Sequence, residues 1–202
     1  MSLKSCYTSD KLEAGCDEVG RGCLAGPVVA AAVILPKDYE HRVLTDSKQL
    51  SKSHREAVRE DILRDALAWA IAEIDNHEID RTNILKASIR AMHLALDQLT
   101  LRPEFILVDG NKFHPYGSTP HLCVVKGDSH YLSIAAASVL AKVHRDKLMG
   151  EFSHQYPHYS WEKNAGYGTT AHRQAIVEHG ITPLHRRSFS MGNRQLGLFS
   201  DQ

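Results

Sequence analysis

Gly15-Cys16-Asp17-Glu18-Val19-Gly20-Arg21-Gly22 sets two acids directly ahead of a Gly-Arg-Gly turn, at the end of a short strand-like stretch. Residues 12–17 and 28–35 read as two strands, the second rich in Val, Ala and Ile between Pro27 and Pro36. Residues 20–26 join them as a hairpin-like connection. Residues 53–65 are predicted helical, with Ser53 and Glu56 as a capping box. The apolar run 67–74 either extends that helix or forms a third strand. Residues 82–99 are amphipathic, with Ile89, Met92, Leu96 and Leu99 on one stripe.

Further along, residues 105–108 and 122–125 are short buried strands, ending at Asp109-Gly110 and Lys126-Gly127-Asp128. A long helix follows over 131–152, burying Leu132, Ala136, Val139 and Val143, with Ser138, Lys142 and Arg145 on another face. Residues 163–168 read as a loop and 170–179 as a helix closed by Gly180. Antiparallel strands first, then helices alternating with strands, predict a mixed α/β sheet.

Composition sets outer limits. The chain has 202 residues, 43% of them apolar, which suits one soluble domain with a real core. Its 24 basic and 24 acidic side chains cancel, so bulk charge gives no support for a polyanion partner. From Lys126 onward, nine Lys and Arg stand against six Asp and Glu, a weak basic bias. Cys6, Cys16, Cys23 and Cys123 lack zinc spacing and read as free thiols in a reducing compartment. Residues 1–10 carry no apolar signal segment, and residues 27–35 are too short to span a bilayer. A cytoplasmic protein with no membrane association is the expectation.

Asp17, Glu18, Asp109 and Asp128 each follow an apolar β-type run and lie near a glycine. Magnesium and manganese take oxygen ligands, and one or two carboxylates plus substrate phosphate oxygens suffice for each ion. Two ions roughly 4 Å apart can serve the attacking water and the leaving oxygen of a phosphodiester. Adjacent strand residues point to opposite faces, so Asp17 and Glu18 share a site only where the strand ends or bulges. Taken singly, Asp109-Gly110 is an ordinary turn and Asp17-Glu18 a solvated strand end. The acids alone equally suit a metal-dependent phosphatase or exonuclease on another α/β fold. A non-catalytic nucleic-acid module fits less well, since four converging acids repel a polyanion.

Beyond the opening stretch, the chain carries Asp46-Ser47-Lys48-Gln49-Leu50, Val108-Asp109-Gly110-Asn111, Val125-Lys126-Gly127-Asp128, Gly166-Tyr167-Gly168-Thr169 and His185-Arg186-Arg187-Ser188-Phe189. The run from Ala135 to Val143, Ala-Ala-Ala-Ser-Val-Leu-Ala-Lys-Val, belongs with them. In that order, these stretches resemble bacterial ribonuclease HII of the type 2 ribonuclease H family. The resemblance implies a ribonuclease-H-like mixed sheet flanked by helices, with a helical C-terminal part. It implies a catalytic domain over residues 1–190 and a tail over 191–202.

The resemblance also implies a function: hydrolysis of the RNA strand of RNA·DNA hybrids, and cleavage 5′ of single ribonucleotides embedded in duplex DNA. Two Mn²⁺ or Mg²⁺ ions held by Asp17, Glu18, Asp109 and Asp128 would assist, leaving 3′-hydroxyl and 5′-phosphate ends. Gly20, Arg21 and Gly22 match the turn that contacts the ribonucleotide 2′-OH, the group that separates RNA from DNA. Tyr167 matches the tyrosine that packs on the next sugar. Lys48, Ser138 and Lys142 match polar positions near the substrate backbone. Cys16 and Cys23 stand where the family often has other small residues. A monomer in ribonucleotide excision and hybrid removal is the implied role.

The tail is a separate signal. Gln195-Leu196-Gly197-Leu198-Phe199 resembles the peptides with which bacterial replication and repair proteins dock on the sliding clamp. Gln195, Leu196, Leu198 and Phe199 would be its anchors. Packing of the same leucines on their own domain is the alternative.

Overall fold

The computed structural model describes residues 3–44 and 50–191. Lys48 and the four tail anchors, Gln195, Leu196, Leu198 and Phe199, lie outside the described residues.

β1 (Glu13–Val19) and β2 (Val28–Ile34) form the expected antiparallel pair, from Ala14 opposite Ile34 to Val19 opposite Val29. Every residue of β2 is buried, as an Ala- and Val-rich strand covered on both faces must be. The ambiguous run 67–74 is a strand, β3 (Ala68–Ile74), antiparallel to β2. Ala68, Ala70, Ala72 and Ile74 face the core, while Trp69 and Glu73 are exposed. Apolar Trp69 and Ile71 on the opposite face obscure the period of two in the sequence. β4 (Phe105–Asp109) and β5 (His121–Val124) join as parallel strands, giving the order β3-β2-β1-β4-β5. The sheet is mixed, as predicted.

Helices α1 (Lys52–Asp65) and α4 (Leu132–Gln155) cover one face, on Val29, Ala31 and Val33. Helix α3 (Ile84–Asp97) covers the other, placing Ala91, Met92, Ala95 and Leu96 on Cys16, Ala30, Ala32 and Val108. The α1 cap lies two residues before the predicted one: Ser51, not Ser53, accepts the His54 amide. A short helix absent from the sequence reading, α2 (Asn76–Arg81), follows β3 and is capped by Asp75. α5 (Trp161–Asn164) takes the start of the predicted loop, and α6 (Thr170–His179) is capped by Thr169.

Residues 132–141 of α4 are buried on every side. Their small side chains let the helix lie on β1 at Gly15, where a methyl group would sit 2.6 Å from the Ser133 carbonyl oxygen. This contact fixes the height of β1 against α4. Arg145, placed on the face with Ser138 and Lys142, is wholly buried. A third cluster joins Leu24 and Ala25 of the β1–β2 connection to Met149, Tyr159, Trp161 and Ile176. The helical C-terminal part thus packs on the loop that begins Gly20-Arg21-Gly22.

Candidate active site

Parallel pairing brings the carboxyl ends of β1, β4 and β5 to one edge of the sheet, where open α/β sheets hold ligands. β1 follows β2 to Val19 but leaves β4 after Cys16, opposite Val108. Asp17 and Glu18 therefore extend past the last β4 partner, beside Asp109. That early parting, rather than a bulge, sets both neighbouring acids of one strand near Asp109.

Asp17 lies on the α4 side, where the Ser138 hydroxyl donates to it. The Glu18 amide donates to Asp17 Oδ1 at 2.7 Å. Glu18 borders a pocket of about 260 Å³ shared with Asp109, Arg21, Asn111, Lys112 and the α3 residues Leu85, Ser88, Ile89 and Met92. Its Oε1 takes a 2.8 Å ion pair from Arg21, and its Oε2 is buried without a protein partner. Asp109 Oδ1 accepts the Gly127 amide at 2.7 Å. Gly127 opens a 3₁₀ turn, residues 127–129, entered through Lys126 in the left-handed conformation. That turn holds the buried Asp128 one residue away from the Asp109 contact.

The electrostatics agree with carboxylates gathered for a cation. Burial, then the charges of Glu18 and Asp109, push Asp17 well above the usual carboxylate range. Burial pushes Glu18 up as well, against the opposing pull of Arg21. Among the described residues no three acid, His or Cys side chains converge as a finished cation cage. Glu18 is turned to Arg21. Oxygen donors, raised carboxylates and the orphaned Glu18 Oε2 fit a hard divalent ion. Cys16 is a poor ligand because burial pushes its thiol up, and Cys23 is shifted the same way.

The turn after the acids is built for close approach. Gly20 has φ +92°, and a side chain there would meet Arg145 Cδ at 2.8 Å. Arg21 is half exposed. A methyl group on Gly22 would lie 4.0 Å from the Tyr167 ring, and Cys23 pairs with Tyr167 in a short β-bridge. Arg21, Gly22 and the exposed Tyr167 thus form one surface, with Gly20 buried beneath it against Arg145.

Lys142 sits on α4, ion-paired to Asp146 at 2.6 Å, with the Arg55 guanidinium 3.7 Å from the same carboxylate. Ser138 is buried against Asp17 rather than open to solvent.

Sequence reasoning missed the supports of this surface. Arg186 is fully buried and donates to the Gly26 carbonyl at 3.0 Å and the Arg21 carbonyl at 2.9 Å. Burial pulls its guanidinium down to about 10. Burial lowers His172 and His185 as well, His185 to about 4. The Thr182 amide donates to His185 Nδ1, so His185 Nε2 carries the proton and faces His172 Nε2 at 3.2 Å. His172 Nδ1 donates in turn to the Tyr167 carbonyl at 2.9 Å. Only the matched Gly166-Tyr167 and His185-Arg186 stretches hinted at this in the sequence.

Comparison with known proteins places this geometry. The family described as Ribonuclease HII matches residues 14–191. A Bacteroides thetaiotaomicron protein named Ribonuclease HII is 57% identical over 190 residues, covering 94% of this chain and 95% of its own length. The Archaeoglobus fulgidus chain solved as a PCNA:RNase HII complex superposes with a TM-score of 0.74 at 24% identity, covering 92% of this chain and 98% of that one. Bst-RNase HIII in complex with Mn²⁺ superposes at 0.64 and 20% identity, covering 89% of this chain and 67% of that one. The structural likenesses carry the ribonuclease-H-like fold.

Proposed function

The chain belongs to the ribonuclease HII family, and from that premise we propose that it is an endonuclease hydrolysing the RNA strand of RNA·DNA hybrids and cutting 5′ of single ribonucleotides in duplex DNA. The observation that carries this reading is the adjacency of buried, mutually repelling acids to a glycine turn that shares a surface with Tyr167. A phosphatase has no use for that second half of the site.

Asp17, Glu18, Asp109 and Asp128 would hold two Mn²⁺ or Mg²⁺ ions; the Mn²⁺ complex of Bst-RNase HIII supports a divalent ion on this fold. Bound there, such a pair supplies an activated water and neutralises charge on the departing 3′-oxygen. The chain itself orients the carboxylates. The Glu18 amide and Ser138 hydroxyl hold Asp17, and the Gly127 amide holds Asp109. Gly20, Arg21 and Gly22 offer main-chain groups to the 2′-OH, which is both donor and acceptor. Tyr167 covers the following sugar and favours deoxyribose. Lys142 lies beside the path of the substrate backbone, and Lys48 is assigned the same role by motif. Ser138 acts through Asp17. The ends left are a 3′-hydroxyl and a 5′-phosphate, and no side-chain nucleophile takes part.

In the cell this activity would begin ribonucleotide excision and clear hybrids, in the cytoplasm and as a monomer. Among the described residues, no helix is long and apolar enough to cross a membrane. Gln195, Leu196, Leu198 and Phe199 would dock on the sliding clamp; the PCNA complex of the archaeal relative supports a clamp partner.

The deciding experiment offers three substrates over a Mn²⁺ and Mg²⁺ titration: duplex DNA with one ribonucleotide, the all-DNA duplex and a small phosphate ester. Metal-dependent cutting 5′ of the ribonucleotide alone is expected. Equal cutting of all-DNA, or turnover of the ester, defeats the reading.

A further inference from the structure

Arg145 is fully buried on α4, and its guanidinium donates three hydrogen bonds to main-chain carbonyls. Nε reaches Pro27 at 2.9 Å and Nη2 reaches Ala25 at 3.1 Å, both in the β1–β2 connection. Nη1 reaches Ala165 at 2.7 Å, two residues before Tyr167. The Leu24 amide ties the same loops by donating to the Gly166 carbonyl at 2.7 Å. Asn164 pins the far side: its Oδ1 accepts the Gly166 amide at 2.8 Å, and its Nδ2 donates to the Tyr159 carbonyl at 2.7 Å.

Burying a guanidinium against carbonyls is costly unless the geometry of every bond is kept. A planar fork with fixed donor directions sets the positions of its acceptors; a lysine ammonium is a point charge on a flexible stem and cannot. Arg145 therefore acts as a rigid strut between the turn of Gly20 and the loop of Tyr167, and Gly20 lies directly against its side chain. Arg186 differs in kind. Its side chain holds the Arg21 and Gly26 carbonyls, and among the described residues it makes no hydrogen bond to the Tyr167 loop.

We propose that Arg145 is a positioning residue that fixes the spacing between the 2′-OH-contacting turn and Tyr167, and so sets the preference for a ribonucleotide followed by deoxyribose over continuous RNA. This rests on the function proposed above. Each half of the surface reads one sugar, and the step from ribose to deoxyribose is recognised only when the halves stand at the right separation. A displacement of about 1 Å in a positioned group costs about a hundredfold in rate. A uniform RNA strand offers ribose at both places and depends less on the Tyr167 side.

The test compares kcat and KM on an embedded single ribonucleotide and on a continuous RNA·DNA hybrid. Arg145→Lys is expected to lower the embedded-to-hybrid ratio of kcat/KM tenfold or more, mostly through kcat. Arg186→Lys, which perturbs an equally buried charge, is expected to lower both substrates together and leave the ratio within threefold. Asn164→Ala frees the Gly166 amide without touching a buried charge, and its ratio is expected to fall as well. An unchanged ratio in folded Arg145→Lys overturns the strut. So does an equal ratio change in Arg186→Lys. Should Arg145→Lys not fold, an unchanged ratio in Asn164→Ala overturns it. If the unsubstituted protein itself fails to cut at the embedded site, the proposed function is wrong and the strut falls with it.

Discussion

Arg21 Nη1 lies 2.8 Å from Glu18 Oε1, so the one cation of the Gly-Arg-Gly turn covers one of the four acids. On the proposed function, a divalent ion would compete with Arg21 for that carboxylate. Arg21 is half exposed and Glu18 largely covered; with one partner open to solvent the pair is worth about 1 kcal/mol. Arg21→Ala should therefore tighten Mn²⁺ binding to the substrate-free protein by about two- to fivefold in calorimetry. Weaker binding would show that Arg21 supports the ion instead.

Asp109→Asn separates chemistry from architecture. The amide oxygen can still accept the Gly127 amide, so the tie between β4 and β5 survives. Turnover should drop by at least about a thousandfold, the scale of losing a preorganised electrostatic group. The free energy of unfolding should stay within about 1 kcal/mol of the parent. Near-normal turnover in this variant would remove Asp109 from the site.

Gly15→Ala tests the contact of α4 with β1. Its methyl group meets helix backbone rather than a side chain that can rotate away. Overpacking of this kind costs about 3 kcal/mol, so the melting temperature should fall by several degrees. An unshifted melt would mean that α4 does not press on β1 at Gly15.

Acid should weaken the fold through His185. Its value is about 6.5 in the unfolded chain and about 4 in the fold, where burial and then His172 oppose its charge. Between these values the unfolded chain binds more protons, so this stability is complete above about pH 6.5 and is lost as pH falls toward 4. The contribution is up to ~3 kcal/mol. His172 is lowered too and acts in the same sense, while the raised Asp17 and Glu18 act in the opposite one. Denaturant unfolding of His185→Gln beside the parent at pH 7.5 and 4.5 isolates the effect: the parent should lose more on acidification. Parallel losses would count against a neutral, buried His185.

The tail is tested by retention on purified bacterial sliding clamp. The whole chain should be held, and a chain ending at Asn193 should not. Equal retention would leave Gln195, Leu196, Leu198 and Phe199 without that role.

The sheet, the long helix and the strand-end acids were legible because each rests on local pattern: apolar runs, a glycine after an acid, an alanine-rich segment. Residues 67–74 were not, since Trp69 and Ile71 give β3 an apolar open face that mimics a helix extension. The cap of α1 was misplaced because Ser51 and Ser53 carry the same chemistry, and only the backbone selects between them. The burial of Arg145, set on one helix face with Ser138 and Lys142, was not legible because its acceptors are carbonyls more than a hundred positions upstream and in the loop before Tyr167. No side-chain pattern encodes a carbonyl. Arg186 and the His172–His185 pair were hidden for the same reason.

The central place of β1 has a consequence for a chain still being synthesised. The β1–β2 hairpin closes over a short connection and can assemble early, carrying Asp17 and Glu18. Their companion Asp109 lies 92 positions further on and arrives only when β4 docks along the other side of β1. Asp128 follows later still, on the 127–129 turn after β5, so the nascent protein holds two of the four acids until most of its sheet is in place.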